Sequence, residues 1–376
     1  MVLRRRFLTG PPLRRGDGQR MARPVLACLA LASLVLAGLA LFGIRPALAE
    51  DPPITLKIVG GLGGVAQYTR YEMPFWTEQV PQLTHGRVHA EIAPFDRSGI
   101  RGPEMLPLMR LGVVPFGTVL LSVSSSDEPE INAMDLAVLN PDIGTLRRNV
   151  ALLRPRLATL LRERFNLVLL AIYAYPAQVV FCRQPFSGLG DLGGRRIRVS
   201  SVGQSELFEA LGAIPVVIPF AEIPGALRGG IVECAVTGSF SGNTLGLSGI
   251  ANYVSRQAIS WGVSVFAANA GAWAALPEEV RGQLRTGLGE LQEQIWHAAE
   301  QETEEGFACN AGRPECVRGT RGQMVVLNDE PRDRQRRTQL LRDVILPSWV
   351  RRCGTDCVET WNSTMAPSWG IVARPE

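Results

Sequence analysis

The sequence predicts an α/β protein built as two lobes, on three observations. Short apolar runs with strand alternation trade places with longer stretches of helical spacing from residue 54 to about residue 306. Alternation of that kind indicates mainly parallel sheets with helical crossovers. The chain has 376 residues, enough for two ordinary domains. No Pro/Gly-rich linker, internal repeat or low-complexity tract divides the chain after residue 50, which points to lobes that it crosses more than once.

In order, residues 54–59 (ITLKIV) alternate and predict a strand, 69–83 carry helical apolar spacing, and 88–92 (VHAEI) return to a strand. Residues 104–111 predict a short helix ending at Gly112, and 115–121 a buried strand. The amphipathic stretch 143–165 is a long helix, followed by an apolar strand at 167–173. Further strands are expected at 179–182, 195–200 and 216–218, with a helix at 206–211. Leu276-Pro277-Glu278-Glu279 opens a long helix running to about Gly306. Proline suits its start, and the acids of its first turn complement the helix dipole.

Residues 1–49 differ from the rest. They hold eight arginines and one acid, Asp17; without them, 31 basic and 34 acidic residues leave a net charge of −3. A slightly acidic mature protein has no electrostatic case for nucleic-acid binding, whatever the formal +4 of the whole chain suggests. Arg23 and Arg45 bracket 21 uncharged, mostly apolar residues, and Ala47-Leu48-Ala49 supplies a small-x-small cleavage signal. This predicts a signal peptide at 1–49 and a periplasmic location. An uncleaved anchor helix is the alternative, and both place the bulk of the chain outside the cytoplasm. A start at Met21 would give a leader of ordinary length, whereas Met1 brings Arg4-Arg5-Arg6-Phe7-Leu8, which resembles a twin-arginine export motif.

Six cysteines lie beyond the leader: Cys182, Cys234, Cys309, Cys316, Cys353 and Cys357. An even number outside the cytoplasm favours disulfides, and the spacings within the last four match no usual zinc ribbon. Those four make two local bridges or two crossed ones. Cys182 and Cys234, both in expected strands, pair with each other or serve as small buried hydrophobes.

No catalytic set emerges. Gly61-Leu62-Gly63-Gly64-Val65-Ala66 follows a strand and precedes a helix in the G-x-G-x-x-A pattern of dinucleotide sites, but the acid needed about twenty residues on is missing. His85, His89 and His297 have no metal or nucleophile partner at useful spacing. Gly238-Ser239-Phe240-Ser241-Gly242 puts phenylalanine where a nucleophile elbow needs serine. No enzymatic activity, cofactor or metal is expected.

The most informative segment is 191–237. Gly193-Gly194 turns the chain into a strand with Arg196 and Arg198 on one face and Ile197 and Val199 on the other. The strand runs through Ser200-Ser201 into a helix from about Gln204. An arginine at its carboxyl end, beside a helix N-terminus, is placed to grip a carboxylate with two parallel hydrogen bonds. On spacing alone, an exposed arginine on a strand edge is the competing expectation.

The same segment resembles the DctP-like substrate-binding proteins of tripartite ATP-independent periplasmic (TRAP) transporters. Asp191-Leu192-Gly193-Gly194-Arg195-Arg196-Ile197-Arg198-Val199, Leu211-Gly212-Ala213-Ile214-Pro215, Pro219-Phe220-Ala221-Glu222 and Ala226-Leu227-Arg228-Gly229-Gly230 keep that family's spacing, and weaker likeness spans 54–305. The resemblance implies a two-lobed, type II-like periplasmic binding protein fold, its lobes joined by crossing segments and a long helix. The expected lobes are 50–175 plus 263–302, and 176–262 plus 303–376 with the cysteine-containing tail. It implies further that Arg198 clamps a ligand carboxylate, Phe220 lines the cleft and Thr237 supports the carboxylate, with Ser201 a lesser contact. The implied function is extracytoplasmic capture of a small organic acid and its delivery to membrane permease subunits of a TRAP transporter.

Two departures from the family pattern stand out. Gln178 occupies the place where many members carry a second arginine, and Val232-Glu233-Cys234-Ala235-Val236-Thr237-Gly238 replaces V-D-G-Q-E-N-P. Losing a cation and an amide points to a weaker anion site or to a different ligand, such as a monocarboxylate with an apolar body, for which Phe220, Trp261 and Trp273 are candidate contacts. The alternatives are an exported dinucleotide-dependent oxidoreductase and a sensor or scaffold that keeps the fold without transport.

Overall fold

In the run ITLKIVG, alternate side chains turn to opposite faces, and Leu56 and Ile58 go into the core while Thr55 and Lys57 stay exposed. The computed structural model describes residues 52–375, so the expected leader lies outside the described residues. This first strand is β1 (Ile54–Gly60), followed by β2 (Val88–Pro94), β3 (Phe116–Leu120), β4 (Leu167–Tyr173) and β5 (Gln178–Cys182). Then come β6 (Arg196–Val199), β7 (Ile214–Val217), β8 (Cys234–Gly238), β9 (Tyr253–Ser255), β10 (Ser264–Asn269) and β11 (Val325–Leu327).

The strands form two sheets, in the orders β2-β1-β3-β10-β4 and β11-β9-β5-β8-β6-β7. Both are mixed, where mainly parallel pairing was expected: β10 runs antiparallel to β3 and β4, and β5 antiparallel to β8 and β9. The reason is the connectivity. The chain leaves β4 for the second sheet through residues 174–177 and returns to the first through 256–263. A strand delivered across the molecule in this way has no helical crossover in its own sheet to make it parallel to its neighbours, and both β5 and β10 run antiparallel.

The two crossing segments lie side by side, with Tyr175 N donating to Trp261 O at 3.1 Å, Gln178 N to Ser260 O at 2.8 Å and Ile259 N to Gln178 O at 2.7 Å. A third connection is the helix Glu278–Asn310, 33 residues and thus about 50 Å long. Its N-terminal half buries Val280, Leu284, Leu288, Leu291 and Ile295 in one core, and its C-terminal half carries Phe307 into the other. Near its end, a Cβ at Gly306 would sit 2.4 Å from Phe240 N, so only glycine allows this backbone approach. Gly306→Ala is therefore expected to cost about 2 kcal/mol through overpacking, measured as a lower denaturant midpoint.

The helix Ile143–Phe165 matches the expected range. Asp142 caps it by accepting from Thr145 N, Asn166 ends it in the left-handed region, and Leu146, Val150, Leu153, Leu157 and Leu161 form its buried stripe. The helix Val202–Ala210 begins earlier than apolar spacing indicated, because Ser201 accepts from Gln204 N and sets its start. The six cysteines among the described residues are all paired, as Cys182–Cys234, Cys309–Cys316 and Cys353–Cys357, which resolves the last four into local bridges. The tail folds into the helices Pro331–Leu340, Leu346–Cys353 and Thr355–Thr360 among shorter turns, burying Trp349 and Trp361.

Candidate functional site

At one end of the second sheet, the carboxyl ends of β6, β7 and β8 and the start of β5 come together. Ligands of open α/β sheets bind at such ends, where the strand order reverses. Four of the five expected site residues lie there. Arg198, on β6, is 4% exposed. Its Nε donates to Ile218 O at 2.8 Å and its Nη1 to Val236 O at 2.6 Å. Thr237 follows Val236 on β8 and is buried. Gln178 opens β5 opposite Gly238, and its side-chain amide donates to Pro176 O at 2.9 Å. Phe220, half-buried, begins the turn after Ile218, and its ring edge is 3.3 Å from where a Cβ on Gly64 would lie.

The expectation of an exposed edge arginine fails at Arg198. β6 is an interior strand between β8 and β7, and Arg198 is buried with its guanidinium on two carbonyls, while Arg196, on the same face, stays exposed and pairs with Glu233. Among the described residues no carboxylate pairs with Arg198. Burial alone pushes its guanidinium down to about 10, which leaves it charged at neutral pH. A buried cation satisfied on two sides by carbonyl oxygens, without a counter-charge, is a ready partner for an anionic ligand.

The opposing wall is the glycine loop after β1. Gly61 N donates to Glu72 Oε2 at 2.9 Å and Gly63 N to Asp96 Oδ1 at 2.9 Å. Carboxylates thus occupy donors that a pyrophosphate would need, which removes the geometric basis of the dinucleotide pattern. Glu72 is fully buried and also accepts from Gln67 Nε2 and Thr118 Oγ1; desolvation raises its pKa above the ordinary carboxylate range.

Ser201 stands apart from the other four. With Gln204 it lines a separate recess, shared with Ser122, Leu136, Ser260 and Trp349, whose lining does not include Arg198, Thr237, Phe220 or Gln178. Trp261 and Trp273 are core residues, each 3% exposed, and Trp261 Nε1 donates to Asn140 O at 3.0 Å.

Sequence reasoning missed Asp135. It is buried, and its carboxylate accepts from Trp261 N at 3.0 Å, from Val263 N at 3.4 Å and from Asn140 Nδ2 at 3.2 Å, pinning the second crossing segment. No local signal marks it, because Trp261 is 126 residues away. Burial pushes its carboxyl up to about 7. A raised carboxyl means that the folded state holds a proton the unfolded state has released, so this contribution falls as pH rises from about 4 to about 7. Asp135→Asn should flatten that fall, seen as a smaller change in Tm between acid and neutral buffers than in the wild type.

Comparison with known proteins decides the family. Residues 67–308 match the model of bacterial extracellular solute-binding proteins, family 7, also called DctP. The chain belongs to that family. Its members are solute-binding receptors and not enzymes, and the resemblance to TRAP substrate-binding proteins holds with it. Among solved structures, a Bordetella pertussis extracytoplasmic solute receptor binding pyroglutamic acid superposes with a TM-score of 0.73 at 21% identity, covering 82% of this chain and 99% of that one. A Rhodoferax ferrireducens TRAP solute-binding protein with bound malonate gives 0.69 at 20% identity, covering 81% and 96%. A Comamonas testosteroni protein named outer membrane transporter protein TsaT is 26% identical over 264 residues, 67% of this chain and 75% of that one. The structural likeness establishes the two-lobed fold. The described residues hold no helix long and apolar enough to cross a membrane.

Proposed function

We propose that this chain is the periplasmic receptor of a TRAP transporter, that it holds a small organic monocarboxylate between its lobes, and that it hands it to membrane permease subunits. The buried, uncompensated guanidinium of Arg198 carries the reading. Thr237 flanks the carboxylate, Phe220 packs on the ligand body, and Ser201 contributes only from the helix cap. Gln178 leaves the site one cation short of a dicarboxylate clamp, so one acid group is recognised and the remainder of the ligand is neutral. In this reading the lobes are 50–175 with 263–302 and 176–262 with 303–376, closing about the crossing segments. The acids bound by solved relatives, pyroglutamic acid, orotic acid and malonate among them, support the broader class of small organic acids, of which malonate alone of these three carries two carboxylates.

Calorimetry with that panel tests it. Pyroglutamate and orotate should bind with 1:1 stoichiometry and malonate at least tenfold more weakly. Preference for malonate would contradict the single-carboxylate site.

A further inference from the structure

The segment Gly238-Ser239-Phe240-Ser241-Gly242, which fails as a nucleophile elbow, opens the helix Ser239–Thr244 directly after Thr237. Its hydroxyls are used unequally. Ser239 Oγ donates to Thr303 O at 3.0 Å, and Thr244 Oγ1 donates one turn back to Phe240 O at 3.2 Å, as helical hydroxyls commonly do. Ser241 is only 6% exposed, yet among the described residues its hydroxyl has no hydrogen-bond partner. Buried polar groups are paired as a rule, so this one calls for an explanation.

Its surroundings supply one. A Cβ on Gly238 would lie 2.7 Å from Ser241 Oγ and 3.2 Å from Gln178 Nε2, so the hydroxyl and the amide at the start of β5 meet over a bare Cα. Gly262, on the second crossing segment, leaves a similar gap: its Cβ would lie 3.7 Å from Gln178 Nε2. The amide nitrogen of Gln178 is taken by Pro176 O, and its side-chain carbonyl has no partner among the described residues. The guanidinium is close by. Arg198 donates to Val236 O, two residues before Gly238 and thus about 7 Å along β8. A small ring acid can bridge that length.

Resting on the monocarboxylate reading above, we propose that Ser241 is a specificity-determining residue. With the ligand carboxylate on Arg198, the Ser241 hydroxyl donates to a carbonyl on the far edge of the ligand, and Gln178 Oε1 accepts from the adjacent N–H. The preferred acid therefore carries a lactam or similar amide, not a bare hydrocarbon ring. The position that leaves the site one cation short reads a neutral group in its place.

Calorimetry with pyroglutamate and with cyclopentanecarboxylate, a ring of the same size without the amide, tests this. The wild type should prefer pyroglutamate. Ser241→Ala should weaken pyroglutamate binding about fivefold, the worth of one hydrogen bond, and leave cyclopentanecarboxylate unchanged. Its Tm should match the wild type, because the hydroxyl bonds to nothing else in the fold. Arg198→Lys should instead weaken both acids alike, which separates the carboxylate contact from this one. Equal affinity of the wild type for the two acids, an unchanged Ser241→Ala, or a loss of both acids alike in that variant would overturn the inference and leave the receptor reading standing. A wild type that binds neither acid would overturn both.

Discussion

Arg198→Ala reduces affinity for the ligand acid by at least a hundredfold, because the carboxylate then enters the cleft without its charged partner. Truncating one side of a desolvated charge pair costs about 2–5 kcal/mol, mostly from the charge left unpaired. The substitution also takes donors from Ile218 O and Val236 O, at about 1–3 kcal/mol for each buried acceptor left unsatisfied. Lower thermal stability should therefore accompany the lost binding, and loss of binding alone would not separate the two effects. Arg198→Lys does separate them. A lysine keeps the charge and can reach one carbonyl, but it cannot present two parallel donors. It should leave a folded protein whose affinity is down about tenfold or more. Full affinity in the lysine variant by calorimetry would mean that charge alone is recognised.

Replacing Cys182 and Cys234 together by alanine should be the most destabilising of the three bridge deletions. The bridge joins residues directly opposite on β5 and β8 and closes a loop of 52 residues that contains β6, β7, Arg198 and Phe220. Chain entropy assigns it about 4 kcal/mol, against about 2 kcal/mol for each of the bridges separated by 7 and 4 residues. Alanine avoids adding hydroxyls to two fully buried positions. Guanidinium unfolding of the three double variants would show the ordering, and equal costs would mean that loop length does not set them. Because the bridge borders the strand that carries Arg198, its loss should also weaken acid binding more than loss of either local bridge.

The elements that could be read in the sequence are those whose signal is local. The helix Ile143–Phe165 announces itself by its leucine stripe and by Asp142, and β1 by its alternation. Arg198 could be located on its strand, but its burial comes with carbonyls of Ile218 and Val236, 20 and 38 residues further on, which the run RRIRV does not encode. The antiparallel strands β5 and β10 were equally hidden, since their direction follows from crossings between lobes and not from side-chain period. Glu72 and Asp135 look like surface acids in sequence. Their partners Thr118 and Trp261 are 46 and 126 residues away, and only the fold makes them buried anchors. The tail was hardest to read, because Trp349, Trp361 and Met365 are sparse among charged residues, and Trp349 and Thr360 find their partners, Pro129 and Glu130, 220 and 230 residues upstream.

The most direct test of the receptor reading is native mass spectrometry of the protein recovered from the periplasm, comparing wild type with Arg198→Lys. A small carboxylic acid carried by the wild type and lost or depleted in the variant is the predicted result. A bound nucleotide, or an acid retained equally by both proteins, would contradict it.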